Sequence, residues 1–315
     1  MSWSEADVPG QHGRVAVVTG GNAGLGLATA TVLAAKGAHV VLASRDRTRA
    51  VAARDRLVAA YPRASIGIVA LDLGSLSSVA RAAGEIRAAH PGIDLLVNNA
   101  GVMALPRGTT ADGFETQLGV NHLGHWALTA HLLPALVRTR GARVVMLTSG
   151  AQHYGRPLRG YPRRAYSPWG AYDDSKLANR HFAQGLDRRF RAAGVSARAL
   201  TAHPGFTNSG IFDATRAARA AGLRGAIMWP ATRAVGMSVE RGALSQLRAA
   251  TDPRAEGGTM YGPRWAIAGP PVRRRLHRPG DERAIRVLWQ LSREFTGIDV
   301  DVDRAVAEAG TASRA

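Results

Sequence analysis

The chain has 315 residues, 46 % apolar and 20 % charged, which is enough to build a sizeable core as one large α/β domain or two small ones. It has no cysteine, so disulfides and thiolate metal sites are excluded, and it shows neither a signal-peptide pattern nor an apolar run approaching the roughly 18 residues of a membrane span, so a cytoplasmic protein is expected. The formal charge of +18 is scattered along helical stretches, densest at 159–164 and 273–278, without zinc-finger spacing or an RNA-binding aromatic motif; it predicts attraction for anionic small molecules or carrier proteins rather than a specific nucleic acid.

Residues 14–19 form a short apolar run that ends in glycine, as a buried parallel strand does. Gly20, Gly21, Asn22, Ala23, Gly24, Leu25 and Gly26 follow, and a helix over 27–36 is stopped by Gly37. Glycines between a strand and a helix let the backbone approach a pyrophosphate at the positive helix terminus. A second strand, 39–44, ends in Ser44 and Arg45. Folds that bind NAD tend to carry an acid at this tip for the ribose 2′-hydroxyl, whereas an arginine suits a 2′-phosphate. The cofactor expected is therefore NADP(H), with NAD(H) the alternative; Arg47 and Arg49 lie close by.

The alternation of strand and helix continues. A strand over 66–73 carries Asp72 and Leu73, a helix covers 75–89, and a strand over 94–97 runs into Asn98, Asn99, Ala100 and Gly101. A long helical stretch, 113–139, holds Asn121, and a strand over 143–148 delivers Ser149. After an excursion at 150–170, rich in Arg, Pro and aromatic residues, a helix to about 193 carries Tyr172 and Lys176. A strand over 196–202 leads into His203, Pro204 and Gly205, and a second excursion, 206–236, contains an apolar patch around Trp229. A short last strand is expected within 257–262 and a helix over 282–295, while 298–315 has little pattern and is expected to fray.

Six strands separated by helices predict an α/β, doubly wound parallel sheet, a Rossmann fold. It forms one domain over 1–315 with its core at 13–262 and a C-terminal extension at 263–315. Ligands of such sheets lie beyond the carboxyl ends of the strands, where the polar and glycine-rich tips fall. The two excursions leave from that edge and are expected to wall the substrate or act as lids.

Tyr172 and Lys176 stack on one face of a helix. A free phenol has a pKa of about 10, and a neighbouring ammonium favours the phenolate, which makes a tyrosine usable as an acid or base. Only two of the 41 basic residues are lysines, Lys36 and Lys176, so a lysine at this spacing suggests that the compact ammonium matters.

These residues resemble the short-chain dehydrogenase/reductases, in their single-domain branch with the Thr-Gly-x-x-x-Gly-x-Gly and Tyr-x-x-x-Lys motifs. Residues 19–26, 98–101, Asn121, Ser149, Tyr172, Lys176, Pro204 and Gly205 match in order, over roughly 13–262. The long insert before Tyr172 resembles the group containing retinol dehydrogenases. The resemblance implies hydride transfer between nicotinamide and a carbonyl or alcohol, most simply reduction of a ketone or aldehyde. Tyr172 is then the acid/base, Lys176 lowers its pKa and holds the nicotinamide ribose, Ser149 polarises the substrate oxygen, and Asn121 holds a relaying water. Thr148 stands where the family often has a second serine. The implied cofactor contacts are Gly20, Asn22, Gly24, Leu25 and Gly26 at the glycine turn, Arg45, Asp72 and Leu73 with Asp72 at the adenine, Asn98 on the adenosine side, and Ala100, Gly101, Tyr172 and Lys176. Pro204, Gly205 and either Ser209 or Thr207 complete the set at the carboxamide. Relatives pair as dimers or tetramers through helices near 113–139 and 171–193, so a homodimer or homotetramer is implied, although the insert stands against such packing.

Some residues leave two readings open. His122, His125 and His131 share one helical stretch without a carboxylate or cysteine at ligand spacing, and are expected to pack rather than bind a metal. His153, Tyr154, Tyr166 and Trp169 line a pocket or pack the insert. A non-catalytic NADP(H) sensor or scaffold is the alternative function; the intact set of Asn121, Ser149, Tyr172 and Lys176 argues against it, since a pure binder has no use for all four.

Overall fold

The computed structural model describes residues 2–158, 161, 165–208, 210–211, 215, 222, 236–274 and 282–312. Eight strands form one continuous sheet: β1 Val15–Thr19, β2 His39–Ser44, β3 Ser65–Ala70, β4 Leu95–Asn98, β5 Arg143–Leu147, β6 Arg198–Ala202, β7 Met260–Pro263 and β8 Pro271–Arg274. Their order is β3-β2-β1-β4-β5-β6-β7-β8, with every neighbouring pair parallel except the antiparallel β7–β8 hairpin. The chain winds outward from β1 to β3, then crosses back to lay β4 on the other side of β1, so the switch point lies between β1 and β4.

The central strands are buried on both faces, and side chains alternate between two cores as the strand period requires. Val17, Val41, Leu96 and Val144 point to one side, where they meet Trp126, Leu133 and Phe182. Ala16, Val18, Val40, Leu42, Leu95 and Val145 point to the other, toward Leu33 and Leu247. The helices on these faces are α1 Gly24–Ala35, α2 Arg47–Ala60, α3 Leu76–Ala89, α4 Thr116–Leu118, α5 Gly124–Arg138, α6 Pro168–Ala192, α7 Val239–Thr251, α8 Glu282–Thr296 and α9 Val302–Ala312. Several starts carry their signal in the sequence. Asp46 caps α2, Ser75 caps α3, and Ser167 caps α6 with Pro168 in its first turn.

Four expectations are corrected. Among the described residues the sheet has one strand more than the six core strands and the last strand expected within 257–262; β8, Pro-Val-Arg-Arg, has no apolar alternation and is a strand because β7 offers it an edge to pair with. The stretch holding Asn121 begins at Thr116 and is interrupted by a π-helical turn, Gly119–Leu123. Helix α6 begins inside the expected excursion, at Pro168. The C-terminal stretch does not fray over 302–312: α9 buries Val302 and Ala305 in the main core, and Asp301 Oδ1 accepts the Arg304 amide at its start. Its short side chains give a weak periodic signal, and tertiary packing supplies the rest.

An aromatic cluster fastens this extension to α5 and α6. Trp126 on α5 lies 4.9 Å from Trp289 on α8 and 5.3 Å from Phe182 on α6, and its indole N–H donates to the Ile298 carbonyl at 2.9 Å. Each such pair contributes about 0.5–1.5 kcal/mol beyond area burial. Among the described residues, no helix is long and apolar enough to cross a membrane.

Candidate active site

The turn after β1 is shaped by Gly20 and Gly24, which hold positive φ of 64° and 51°. Gly26 lies against the Gly20 carbonyl, and a Cβ there would also come within 2.6 Å of Asn99 Nδ2. Helix α1 can therefore close on the turn only with glycine at this position. Its N-terminus has no side-chain cap, unlike α2, α3 and α6. Its first amide donors remain available to an anion, which fits a dinucleotide pyrophosphate.

The tips of β1 and β4 are tied together. Thr19 Oγ1 accepts from the amides of Asn99 and Ala100 at 2.9 and 3.0 Å, and Asn99 Nδ2 donates to the Thr19 carbonyl at 2.8 Å. The Asn98 side chain is fully buried, donating to Thr129 Oγ1 at 3.1 Å and approaching Met146 Sδ at 3.0 Å, so it packs the sheet. Strand alternation turns Asn98 inward, and the half-buried tip begins at Asn99. At the neighbouring tips, Arg45 is exposed just past β2, and Asp46 beside it is committed to capping α2. Asp72 is half-buried, with Oδ1 accepting the Gly74 amide at 2.9 Å, and Leu73 is buried against Gly124. Asn22 is half-buried in the glycine turn and Leu25 is buried at the first turn of α1.

Asn121, Ser149, Tyr172 and Lys176 converge where β4, β5 and α6 meet. The Asn121 side chain clips the loop after β4 from both sides: Oδ1 accepts the Val102 amide at 2.8 Å, while Nδ2 donates to the Val102 carbonyl and to Ser175 Oγ, both at 2.9 Å. Ser175 in turn donates to the Tyr172 carbonyl at 2.8 Å, so the asparagine turn and the tyrosine turn are braced against each other. Lys176 is buried, and its ammonium donates to the Leu147 carbonyl at 3.3 Å, and lies 5.6 Å from the centre of the Tyr172 ring. Burial pulls the Lys176 pKa down from 10.5 to about 8. Gly101 separates the two polar groups, since a Cβ there would lie 2.9 Å from Asn121 Oδ1 and 3.3 Å from Lys176 Nζ.

At the end of β5 two hydroxyls divide the work. Thr148 is buried and donates to the Lys176 carbonyl at 2.9 Å, which commits its proton to α6. Ser149 is half-buried and accepts the Ala151 amide at 3.2 Å, which leaves its own proton free to be donated. Around Tyr172 lies an apolar cluster of Met103, Ala104 and Ala151, with Trp169 and Ile211 packed on it. Trp169 meets the Tyr172 ring edge-on at 6.4 Å and also borders a cavity of about 1050 Å³ with Phe114, Tyr161 and Phe295. Tyr166 and Tyr154 border the same cavity; the Tyr166 hydroxyl donates to the Leu105 carbonyl at 2.8 Å and accepts from Gln117 Nε2 at 3.0 Å, and Tyr154 is exposed.

Past β6, Gly205 takes a positive φ of 75° in the turn that follows Pro204. Thr207 is buried and donates to the Pro204 carbonyl at 3.1 Å, and it also lies against Gly242 on α7. Ser209, its competitor, and Trp229 lie outside the described residues.

The three histidines point in different directions. His122 Nε2 lies 2.9 Å from Ser292 Oγ, and His131 is half-buried near Arg87. His125 belongs to the site: Nδ1 lies 3.0 Å from the Asn121 carbonyl and Nε2 2.9 Å from Thr19 Oγ1. Because a carbonyl can only accept, Nδ1 carries the proton and Thr19 donates to Nε2. Burial lowers the His125 pKa to about 4 and keeps the ring neutral. From sequence alone His125 is expected to pack, and its i+4 spacing from Asn121 is the signal that places it here. Gln246 on α7 had none, yet its Nε2 donates to the Leu25 carbonyl at 3.1 Å and bonds Thr29 Oγ1.

A glycine turn at the switch point of a parallel sheet, with a buried lysine beneath a tyrosine one strand away, defines a dinucleotide-dependent oxidoreductase. The chain belongs to the short-chain dehydrogenase family, whose model matches residues 14–220. It is 39 % identical over 303 residues to a polyprenol dehydrogenase of Mus musculus, covering 92 % of this chain and 86 % of that one. Retinol dehydrogenase 13 of Homo sapiens is 40 % identical over 205 residues, 64 % of this chain and 60 % of its own length. In three dimensions the chain resembles an uncharacterized protein from Mycobacterium Paratuberculosis, with a TM-score of 0.77 and 38 % identity, covering 96 % of this chain and all of that one. It also resembles a "putative NAD(P) dependent gluconate 5-dehydrogenase" from Beutenbergia cavernae with bound NADP at low occupancy, with a TM-score of 0.62 and 25 % identity over 80 % of this chain and 95 % of that one. The protein is thus an NAD(P)-dependent oxidoreductase.

Proposed function

We propose that this enzyme uses NADP(H) to interconvert a carbonyl and an alcohol on a mid-sized apolar substrate, working chiefly as an aldehyde or ketone reductase in the cytoplasm, with 1–315 acting as one domain. The observation that carries this reading is the Tyr172–Lys176 pair set in an apolar cluster, with the Ser149 hydroxyl free to donate. The names of the relatives, polyprenol and retinol dehydrogenases, favour the aldehyde and primary-alcohol pair.

When bound, the nicotinamide supplies or accepts the hydride. In reduction, Tyr172 gives its phenolic proton to the carbonyl oxygen, and in oxidation it takes the hydroxyl proton. The Lys176 ammonium, held by the Leu147 carbonyl, favours the phenolate and would hold the nicotinamide ribose of a bound cofactor. Ser149 donates to the substrate oxygen and fixes its orientation. Asn121 braces the loop at Val102, and, as the family resemblance implies, it would hold the water that returns protons through Lys176. The uncapped start of α1 and Gly20, Asn22, Gly24, Leu25 and Gly26 hold the pyrophosphate, Asp72 and Leu73 the adenine, and Arg45 the 2′-phosphate. Ala100, Gly101, Pro204, Gly205 and Thr207 or Ser209 complete the nicotinamide end.

Turnover of a panel of aldehydes, ketones and alcohols with NADPH, NADP⁺ and NADH tests the reading. Faster reduction of apolar aldehydes with NADPH than with NADH is expected. A protein that binds NADPH yet turns over nothing in the panel would return the function to a sensor.

A further inference from the structure

The hairpin between β7 and β8 turns at the carboxyl edge of the sheet, the same edge as the active site. It is closed by its own backbone. Arg264 N donates to the Pro270 carbonyl at 2.9 Å, Trp265 N to Ala268 at 3.1 Å, and Ile267 N to Trp265 at 2.8 Å. Ala266 and Gly269 hold positive φ of 66° and 105°, and the Trp265 ring lies on Gly269, where a Cβ would come within 2.7 Å. This well-ordered turn leaves Trp265 69 % and Ile267 44 % exposed. Large apolar side chains at the tip of a rigid turn lose the water-exclusion gain that a core position would give them.

The rim of the tip is cationic. Arg264 and Arg273 are exposed and Arg274 half-buried. Arg273 pairs with Glu256 at 2.9 Å, whereas Arg264 and Arg274 have no carboxylate partner among the described residues. The hairpin is also strapped to the active-site turn after β6. Phe206 N donates to the Ile267 carbonyl at 2.8 Å, His203 Nε2 lies 3.1 Å from the Ala266 carbonyl, and Gly205 abuts the Ile267 carbonyl.

We propose that this hairpin docks on an anionic lipid bilayer, with Trp265 and Ile267 entering the headgroup boundary and the arginines meeting acidic headgroups. An amphipathic indole beside arginine is the composition that seats at a membrane interface. A second copy of the chain is the poorer occupant, because two proteins of charge +18 repel each other. Docking through this turn sets the cleft mouth against the bilayer, so an apolar substrate dissolved there reaches Tyr172 without crossing bulk water. The docking goes beyond the hydride-transfer reading and does not depend on it.

Flotation of the whole protein with vesicles, without cofactor, tests it. The protein is expected to float with phosphatidylcholine vesicles containing phosphatidylglycerol and to stay behind with phosphatidylcholine alone. Trp265→Ser with Ile267→Ser is expected to weaken binding by roughly tenfold or more, and Arg264→Gln by roughly fivefold. Circular dichroism and turnover of a water-soluble aldehyde are expected to be unchanged, because these side chains are exposed and outside the catalytic set. Wild-type protein that ignores anionic vesicles, or a double variant that floats as well as wild type, would overturn the proposal. So would a concentration-dependent dimer that the same two substitutions abolish, since that would give the surface to a second copy.

Discussion

His125 donates from Nδ1 to the backbone carbonyl of Asn121 at 3.0 Å, while its Nε2 accepts from Thr19 Oγ1 at 2.9 Å. One neutral ring thus joins the asparagine turn to the end of β1, and through Thr19 to the amides of Asn99 and Ala100. His125→Phe keeps the volume but leaves two buried polar groups without their partner. It is expected to destabilise the fold by about 2–6 kcal/mol, at about 1–3 kcal/mol per orphaned group, and to raise the KM for cofactor. Denaturant unfolding and cofactor titration check both, and an unchanged KM would remove His125 from the site.

Acid should weaken the fold through three neutral histidines, His122 and His125 buried and His203 half-buried. Burial lowers His125 and His203 to about 4 and His122 to about 3, against 6.5 for a free imidazole. The unfolded chain therefore takes up protons first, so stability is fully present above pH 6.5 and falls as pH drops toward 4. Each group contributes up to about 1.4 kcal/mol per pH unit within its window. Tm measured from pH 8 to pH 4 is expected to be flat and then to decline, and a flat profile throughout would contradict the burial of these rings.

Lys176 is expected to cost stability. Its pKa falls from 10.5 to about 8, so between these values the unfolded chain holds the extra proton and stability rises with pH; below about 8 the burial cost is present in full. Lys176→Met should therefore stabilise the protein by about 1–3 kcal/mol at pH 7, with the Leu147 carbonyl still bonded by Asn179 at 3.2 Å. Turnover should be lost in the same variant. A destabilised variant would show that the ammonium is held more favourably than its burial implies.

Gly101→Ala would push a methyl between Asn121 Oδ1 and Lys176 Nζ, at 2.9 and 3.3 Å from them. Turnover is expected to fall at least roughly tenfold, since small displacements in a preorganised site cost about that much or more, while the circular dichroism spectrum stays that of wild type. Activity equal to wild type would mean that the spacing of these two groups is not critical.

Arg45→Asp places a carboxylate at the exposed tip of β2. It should reverse the cofactor preference, lowering kcat/KM with NADPH by roughly 10–100-fold, the worth of one or two charge-assisted bonds, and leaving NADH less affected. Equal losses with both cofactors would detach Arg45 from the 2′-phosphate.

Much of this was legible because local chemistry and tertiary position agree. The glycine turn, the caps at Asp46 and Ser75 and the Tyr172–Lys176 spacing each follow from residue type and separation, and β1 through β6 are apolar enough to declare themselves. The remainder depends on partners distant in sequence. Asn98 could be separated from Asn99 only once the strand phase was known, because one step along a strand reverses the face. Pro271–Arg274 becomes a strand through β7, and α9 becomes a helix through Trp126 and the core behind it. His125 looked like one of three interchangeable histidines until Thr19 and Asn121 came to lie at its two nitrogens.

The central claim is that the Tyr172 hydroxyl carries the proton that accompanies hydride transfer. Tyr172→Phe removes that oxygen and little else, and single-turnover oxidation of bound NADPH by an apolar aldehyde, read beside NADPH titration, isolates its role. Loss of hydride transfer by at least about a hundredfold with NADPH binding retained is the predicted result. A variant that oxidises NADPH at the wild-type rate would contradict it.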